Sequence, residues 1–431
     1  MTGWPRSSCT RPFSASTAIA VCTALGASLL TGCGVLPGGS VGSRDTLTVM
    51  TWAPEGTNAT NKPGMPALAE AYGRWANANG GIDGHELRVI TCNERNTPVG
   101  AATCARQAVD EKAVAVVGSY SQYGRSFMAP LEAAGIPYIG GYGLSDEEFT
   151  SSLSYPVNGG QVALMAGSGK QLARNCAAVA LVRPDSVAGD ALPTLLDSGL
   201  KEAGREPALD IKAPEDAGDY TSQADRALDH AGSAGSDAEG CVSAVLGERT
   251  ETFVDSFRRL KDRNEADNVH VASILGSVDQ SLVNRTGGAN GPFEGAYVTG
   301  WYPDSGDPRW DGMHELIREH AFGDNRIDPA DVGVQTTYIA YTVLKAAIEA
   351  VDSDEIDARA LAKALDNGPG VSTGGLTPTL RWHMKDLLGV PQFPRMVNPG
   401  VTFQVVRNGK LVSDTMEAVD VTDTLTNSSV D

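Results

Sequence analysis

Residues 75–92, WANANGGIDGHELRVITC, place the end of a helix directly before a strand. Gly80 and Gly81 can adopt the positive φ that ends a helix near Asn79, and Gly84 permits the tight turn that follows. The segment HELRVITC then has the pattern of a strand. A helix that passes into a strand through so short a connection is typical of an α/β fold.

The same alternation of strands and helices continues on both sides of this stretch. Strand patterns such as AVAVVGS and IPYIGG alternate with helical patterns such as PALAEAYGRWANAN. The series restarts after about Tyr155, and GVQTTYIAYTVLKAAIEAV predicts a long amphipathic helix. Near-continuous apolar strands are typical of sheets covered on both faces. We therefore predict an α/β protein with two doubly wound lobes and mainly parallel sheets.

Length and composition agree with a folded two-domain chain. The 431 residues are 41% hydrophobic and 20% charged, which are ordinary globular values. The formal net charge is -19, and the sequence does not show the clustered Lys and Arg residues that bind a polyanion. We therefore expect no nucleic-acid partner and interpret the acidity as a soluble, secreted surface.

The N-terminus has the pattern of a targeting segment. The apolar run AIAVCTALGASLL, residues 18–30, follows two arginines and suits a signal peptide, but it is too short to span a bilayer. The next residues, LTGCG, resemble the lipobox of bacterial lipoproteins, which implies lipidation of Cys33 and cleavage before it. We predict a signal peptide at residues 1–32 and a flexible Gly/Ser/Pro-rich linker with the lipidated cysteine at 33–44. The alternative is a simple secretory peptide with a chance cysteine.

Four further cysteines form an even set, as expected for an oxidising compartment. Cys176 and Cys241 each open an apolar strand pattern, so they would lie at matching starts of neighbouring parallel strands, about 4.8 Å apart. Cys92 ends one strand and Cys104 lies on the next helix. We predict the disulfides Cys92–Cys104 and Cys176–Cys241, because metal or redox sites would need a CxxC-like cluster that the sequence lacks.

Three segments in order carry a family resemblance: AYGRWANANGGIDGHELRVITC, AVAVVGSYSQ and MAPLEAAGIPYIGG. Together they resemble the leucine/isoleucine/valine-binding type of solute-binding protein, with its type I periplasmic-binding fold, from about Thr46 to about Val412. The resemblance implies two lobes joined by three crossovers and a ligand held in the cleft between them. The implied divisions are a first lobe at 45–155 plus 298–370, a second lobe at 156–297 plus 371–412, and an acidic tail at 413–431 that we expect to fray.

The position of the site follows from the fold. Ligands of open α/β sheets bind beyond the carboxyl ends of the strands, where loops and helix N-termini present polar groups. Hydroxyl and amide side chains there could bind a carboxylate, aromatic rings could form an apolar wall, and either Glu248 or Asp279 could accept an ammonium group. The candidate ligand-binding residues are Trp52, Ser119, Tyr120, Ser121, Gln122, Tyr142, Gly143, Ser145, Asp185, Ser186, Glu248 and Asp279.

The resemblance implies an extracytoplasmic solute-binding protein, anchored to the outer face of the cytoplasmic membrane. It would deliver a small polar solute, an amino acid or a related compound, to the membrane subunits of an ABC permease. The alternative is a binding protein that senses a ligand and signals through a membrane partner. We expect a monomer without catalytic activity and without a cofactor. We also expect no metal site, since His314 and His320 lie six positions apart whereas paired metal ligands on a helix lie at i and i+4.

Overall fold

The computed structural model describes residues 44–428, except 58–59, 187–188, 215–216, 236–237, 265, 354 and 416. The predicted signal peptide and the lipidated Cys33 lie outside the described residues. Within the described part of the chain, no helix combines the length and the apolar character needed to cross a membrane.

The first part of the chain forms a five-stranded sheet in which every strand pair is parallel. Its order is β2-β1-β3-β4-β5, so the chain starts at an inner strand, adds one strand on one side and then three on the other. The elements are β1 (Arg44–Ala53), α1 (Gly64–Ala78), β2 (His85–Asn93), α2 (Pro98–Asp110), β3 (Ala115–Val117), α3 (Gly124–Ala134), β4 (Tyr138–Ile139), α4 (Glu147–Thr150) and β5 (Ser154–Tyr155).

The end of α1 has the predicted geometry. Gly80 and Gly81 have φ values of 89° and 83°, and the Gly81 amide donates to the Ala76 carbonyl over 2.9 Å. A side chain on Gly81 would collide with the backbone carbonyl of His85, so this position requires glycine. Gly84, with a φ of 79°, then turns the chain into β2.

The middle part of the chain builds a second sheet, as predicted. Parallel pairing gives the order β10-β9-β8-β6-β7, in which each strand follows a helix or a short connection. The elements are α5 (Gly160–Asn175), β6 (Ala178–Pro184), α6 (Leu192–Glu202), β7 (Leu209–Ala213), α7 (Thr221–Gly232), β8 (Gly240–Ala244), α8 (Thr250–Asn264), β9 (Val269–Ile274), α9 (Gln280–Arg285) and β10 (Tyr297–Gly300).

The last part of the chain contributes to both sheets. Two helices return to the first sheet, where α10 and α11 contact α1, and β11 then pairs antiparallel with β10 in the second sheet. Residues 298–300, which the sequence analysis assigns to the first lobe, therefore belong to the second sheet. The elements are α10 (Asp311–His320), α11 (Val332–Glu349), α12 (Ala358–Asn367), β11 (Gly400–Arg407), β12 (Lys410–Ser413), β13 (Val419–Asp420) and α13 (Thr422–Thr426).

The expectation that the tail frays beyond residue 412 is wrong as far as residue 428. Strand β13 pairs with β11, and α13 packs on α5 and α6. Val421 and Leu425 are buried there, and the Thr424 hydroxyl donates to Glu202 over 2.7 Å. Although this segment is mostly polar, it contains two apolar residues, four positions apart, that pack against helices of the second sheet.

Both predicted disulfides are present. Cys92 of β2 is bonded to Cys104 of α2, and Cys176, two residues before β6, is bonded to Cys241 of β8; each pair has a Cα–Cα distance of 5.8 Å. The register of β6 and β8 places Val179 opposite Cys241, so the parallel pairing brings the second pair together. Each sheet therefore carries one covalent link between a strand and a neighbouring element.

Candidate ligand-binding cleft

A cavity of about 440 Å³ lies at the carboxyl ends of the strands, with walls from both sheets. Its first-sheet side consists of residues from the loops after β1, β2, β3 and β4, namely Thr60, Lys62, Asn96, Tyr120, Gln122, Tyr123, Tyr142 and Leu144. Its second-sheet side consists of Gln161, Leu164, Pro184, Ser186, Gly189, Leu192, Tyr220, Val245, Leu246, Gly247, Glu248, Arg249, Ile274, Leu275, Gly276 and Ser277, with Trp301 after β10.

Aromatic rings form a continuous wall at the back of the cavity. The rings of Tyr120 and Tyr142 meet edge to face with centroids 5.0 Å apart, and Tyr142 meets Trp301 in the same way at 5.3 Å. Burial raises the pKa of Tyr120 to about 12, so its phenol stays neutral at physiological pH. The wall therefore offers ring surface and neutral hydroxyl groups.

Lys62 is a buried cation on the first-sheet side. Its Nζ lies 2.8 Å from Asp331 Oδ2, while Asp331 Oδ1 accepts hydrogen bonds from the backbone amides of Gly333 and Val334 at the start of α11. Burial lowers the pKa of Lys62, but Asp331, with Tyr142 and Asp279, together raises it by more, so the net pKa is raised. Burial raises the pKa of Asp331, but Lys62 and the backbone amides of Val334 and Gly333 together lower it by more, so the net pKa is lowered. The two groups form an ion pair.

The second-sheet side is mostly aliphatic. Leu246 follows β8, and Ile274 and Leu275 lie at the end of β9, so strand ends supply hydrocarbon directly to the cavity. Among the described residues of this side, the charged ones that line the cavity lie in the short 3-10 turn Gly247–Arg249, which begins the connection to α8. Glu248 and Arg249 both line the cavity from this turn, and Glu248 is solvent-exposed.

Direct contacts join the two sides of the cleft. Glu248 Oε1 accepts a hydrogen bond from the backbone amide of Asn61 at 2.9 Å. Farther out, the Ser281 hydroxyl donates to Asp328. Gly276 approaches the Tyr142 hydroxyl so closely that a Cβ atom would collide with it. The two sides are therefore in contact around the cavity, as in a closed cleft.

A second cavity of about 380 Å³ adjoins the first and shares Lys62, Gly247, Glu248, Gly276 and Ser277 with it. Its remaining walls are rich in charged side chains of both signs, namely Glu251, Asp279, Arg285, Arg326, Asp328 and Asp331. Within the described ranges, no three His, Cys, Asp or Glu side chains are grouped so that they could hold a metal ion.

Five of the sequence-predicted site residues line the main cavity. They come from the loops after β3, β4, β6 and β8, as expected for strand ends that face a cleft. They are Tyr120, Gln122, Tyr142, Ser186 and Glu248.

Two of the predicted hydroxyl residues, Ser119 and Ser121, are buried behind the cavity. Ser119 Oγ accepts the backbone amide of Trp52 at 3.1 Å. Ser121 Oγ donates to Glu94 Oε2 at 3.3 Å and accepts the Tyr123 amide. The Ser119 hydroxyl therefore connects the loop after β3 to β1, and the Ser121 hydroxyl connects the same loop to the one after β2.

The other predicted residues also lie outside the main cavity. Trp52 packs in the core against Phe127, with ring centroids 5.5 Å apart. Gly143 and Ser145 donate their backbone amides to the buried carboxylate of Glu148, at 2.9 and 3.1 Å.

Two predicted acids have structural partners of their own. Asp185 forms a surface ion pair with Lys212 at 3.2 Å. Asp279 accepts the amide of Leu282 at the start of α9, at 2.8 Å, and lines the second cavity only. Their position at strand ends made both acids candidates, but position alone does not reveal the direction of a side chain.

Sequence reasoning missed Lys62, Arg249 and Trp301. Arg249 directly follows the predicted Glu248, so the same loop contained a signal for it. Trp301 ends the predicted strand GAYVTGW, where a residue beyond a strand end could have been considered. Lys62 had no such signal, because its partner Asp331 lies 269 residues away in sequence.

Comparisons with known proteins agree with this architecture. A solute-binding protein from Rhodopseudomonas palustris HaA2, solved with p-hydroxybenzoic acid, superposes with a TM-score of 0.69 at 16% identity, covering 87% of this chain and 97% of that one. A branched-chain amino acid ABC transporter protein from Thermus thermophilus, solved with valine, gives 0.68 at 17% identity, with coverage of 88% and 97%. A fatty acid ABC transporter substrate-binding protein from Thermomonospora curvata gives 0.67 at 13%, with coverage of 89% and 94%.

None of the curated proteins matches this chain in sequence. The family model for periplasmic binding proteins, however, matches residues 49–387, which is most of the chain. Two mainly parallel sheets with a cavity at their facing strand ends are the architecture that the sequence resemblance implies. The chain is a member of the periplasmic binding protein family.

Proposed function

We propose that this protein is the extracytoplasmic solute-binding component of an ABC transporter. It would capture a small solute, an amino acid or a related compound, between two closing lobes and deliver it to the membrane subunits of a permease. The observation that carries the proposal is the cavity of about 440 Å³ with walls from both sheets. Relatives solved with valine and with p-hydroxybenzoic acid support a small carboxylate as solute.

The proposed mechanism is a shift between open and closed arrangements of the two sheets. A solute that contacts both sides of the cleft binds the closed arrangement more tightly and so raises its population. The Asn61–Glu248 and Ser281–Asp328 contacts would form only on closure, because each joins a residue of the first-sheet side to a residue of the second-sheet side. The permease would then recognise the closed shape.

The test combines binding with shape. A thermal-shift screen of amino acids, carboxylic acids, amides and polyamines should find a solute that raises the melting temperature, because a ligand of the native state stabilises it. Small-angle scattering should then show a smaller radius of gyration with that solute. Binding without compaction would contradict the closing mechanism, and no binding by any solute class would contradict the proposed function.

We further propose that a lipid on Cys33 anchors the protein to the outer face of the cytoplasmic membrane. The lipobox-like LTGCG sequence supports this proposal. Cys33→Ser should move the protein from the membrane fraction to the soluble fraction of the native host. Retention of the variant in the membrane fraction would point to another mode of attachment.

A further inference from the structure

The charges of the cleft define the solute more narrowly. We propose that the solute is a compact hydrophobic monocarboxylate that lacks the α-ammonium group of an amino acid. Its carboxylate pairs with Arg249, and its apolar body lies against the aromatic and aliphatic walls. This inference rests on the solute-binding function proposed above and selects one class within it.

An α-ammonium group needs a carboxylate partner when it leaves water, because an unpaired buried charge is costly. Among the described residues, Glu248 is the only acid that lines the main cavity. Its Oε1 already accepts the Asn61 amide at 2.9 Å, and its side chain is exposed at the rim. The interior of the cavity therefore offers an ammonium group no carboxylate.

The acids of the second cavity do not supply this partner. Asp331 is paired with Lys62, and Glu251 is paired with Arg285. Asp328 accepts from Ser281, and Asp279 accepts the Leu282 amide. Lys62 borders both cavities, so an ammonium group that reached toward Asp331 would meet a like charge. That repulsion opposes a cationic ligand at the junction of the two cavities.

Cations, in contrast, are available to an anionic ligand. Arg249 lines the main cavity, and in the described part of the chain no side chain forms an ion pair or hydrogen bond with its guanidinium group. A guanidinium group can hold a carboxylate through two parallel hydrogen bonds. Lys62 has three N–H donors, of which one bonds to Asp331, so it adds donors close to the same space.

The remaining walls suit an apolar body. Tyr142 and Trp301 present rings, while Leu246, Ile274 and Leu275 present hydrocarbon. The cavity of about 440 Å³ is near the lower end of small-molecule sites, which span about 300–1,000 Å³. A compact aromatic or branched aliphatic acid fits this combination of volume and lining.

The experiment compares matched pairs of solutes that differ only by the amino group. Isothermal titration calorimetry would be run with 3-phenylpropionate against phenylalanine, 3-(4-hydroxyphenyl)propionate against tyrosine, and 4-methylpentanoate against leucine. At least one acid should bind about tenfold or more tightly than its amino acid, since an uncompensated ammonium group costs at least that much. The neutral amide of that acid should bind about tenfold more weakly than the acid, since it lacks the charge that Arg249 recognises.

Substitutions of Arg249 test whether this residue binds the carboxylate of the solute. Arg249→Gln should lower the affinity for the acid about tenfold, while Arg249→Lys, which keeps the charge but loses the planar fork, should lose less. Arg258→Gln is the matched control, because Arg258 lies on the adjacent α8, is paired with Asp255 at its surface, and does not line the cavity. Equal losses in the Arg249 and Arg258 glutamine variants would mean that only long-range charge matters, which contradicts the proposed contact.

The outcomes separate this inference from the proposed function. If amino acids bind more tightly than their acids, or if only a solute of another class binds, the ligand class is wrong although the solute-binding function stands. If no solute of any class binds, both proposals fail. Preference for the acids together with a specific loss in Arg249→Gln supports the inference.

Discussion

The two sides of the cleft differ in the chemistry of their side chains and in the way these are held. On the first-sheet side, polar and charged groups are fixed by partners from the same side: Lys62 by Asp331, and Ser121 by Glu94. On the second-sheet side, aliphatic strand ends such as Ile274 supply surface without hydrogen bonds. The polar groups of the first side are therefore held by hydrogen bonds within the protein, while the second side offers apolar surface that a solute can bury.

The first-sheet side is supported by buried carboxyl groups. Glu148 accepts backbone amides of Gly143, Leu144 and Ser145 at 2.9 to 3.1 Å and so shapes the loop that carries Tyr142. Burial raises the pKa of Glu148, partly offset by these hydrogen bonds. The comparison teaches that the first-sheet side of the cleft depends on protonation and hydrogen bonding, whereas the aliphatic side depends on packing.

The largest expected change in the free energy of unfolding comes from removing the disulfides, of which each sheet has one. Cys176–Cys241 closes a loop with a sequence separation of 65, and Cys92–Cys104 one with a separation of 12. In the chain-entropy model these bonds stabilise the fold by about 4 and about 3 kcal/mol respectively. Replacing each pair by alanines should therefore destabilise the protein more for the second-sheet pair, as measured by urea unfolding.

Because the loops differ in length, the contrast between the variants is more informative than either value alone. A larger loss for the Cys92/Cys104 double variant would show that local packing around these bonds outweighs loop entropy. That result would make the first sheet, and not the second, the part that depends more on its covalent link.

The next effect in size is a pH dependence specific to the first-sheet side. Burial raises the pKa of Glu94 from an ordinary 4.5 to about 7, although hydrogen bonds from Asn96 and Ser121 oppose the shift. The folded state therefore binds this proton more tightly than the unfolded chain. The resulting stability, about 3 kcal/mol at most, is fully present below about pH 4.5 and is lost as the pH rises to about 7.

Glu94→Gln should remove this dependence, because an amide does not titrate over that range. Urea unfolding of the variant between about pH 4.5 and 7.5 should give a flatter profile of unfolding free energy than the unmodified protein. Glu86→Gln, on the exposed face of the same strand β2, is the matched control and should leave the profile unchanged. A profile of Glu94→Gln parallel to that of the control would mean that Glu94 stays ionised in the fold.

The smallest expected effect concerns the place where the two sides touch. Gly276→Ala would bring a Cβ atom against the Tyr142 hydroxyl, hold the sides apart, and weaken solute binding about tenfold, or about 1.4 kcal/mol. Gly204→Ala is the control, because Gly204 also has a positive φ, 70° against 95° for Gly276, but has no atom within 4 Å of the added Cβ. Calorimetry should show the loss of affinity only in Gly276→Ala, and equal affinities would refute the steric explanation.

The fold could be predicted largely from sequence because its determinants are local. Helix-ending glycines such as Gly81 and apolar strand runs each act within a few residues of themselves. The tail was the exception: α13 is held by contacts with α5 and α6, more than 200 residues away in sequence, which no local pattern reveals.

The site could be predicted only in part, for the same reason. Strand ends identified Tyr120, Tyr142 and Glu248, but nothing in the local sequence says whether a serine there turns toward the cleft or toward a buried acid. Ser121 turns toward Glu94, which lies 27 residues away. Lys62 is fixed by a residue from α11's start, so its role emerges only when distant segments meet.

The position of Trp301 determines what its intrinsic fluorescence can report. Its indole Nε1–H donates to the Gly160 carbonyl at 2.9 Å, its ring faces Tyr142, and it follows β10 where the chain leaves the second sheet. Among the tryptophans of the described ranges, only Trp301 lines the main cavity. Indole emission is sensitive to nearby polarity, so the intrinsic fluorescence of Trp301 offers a label-free signal that would report both occupancy of the cavity and movement at this junction.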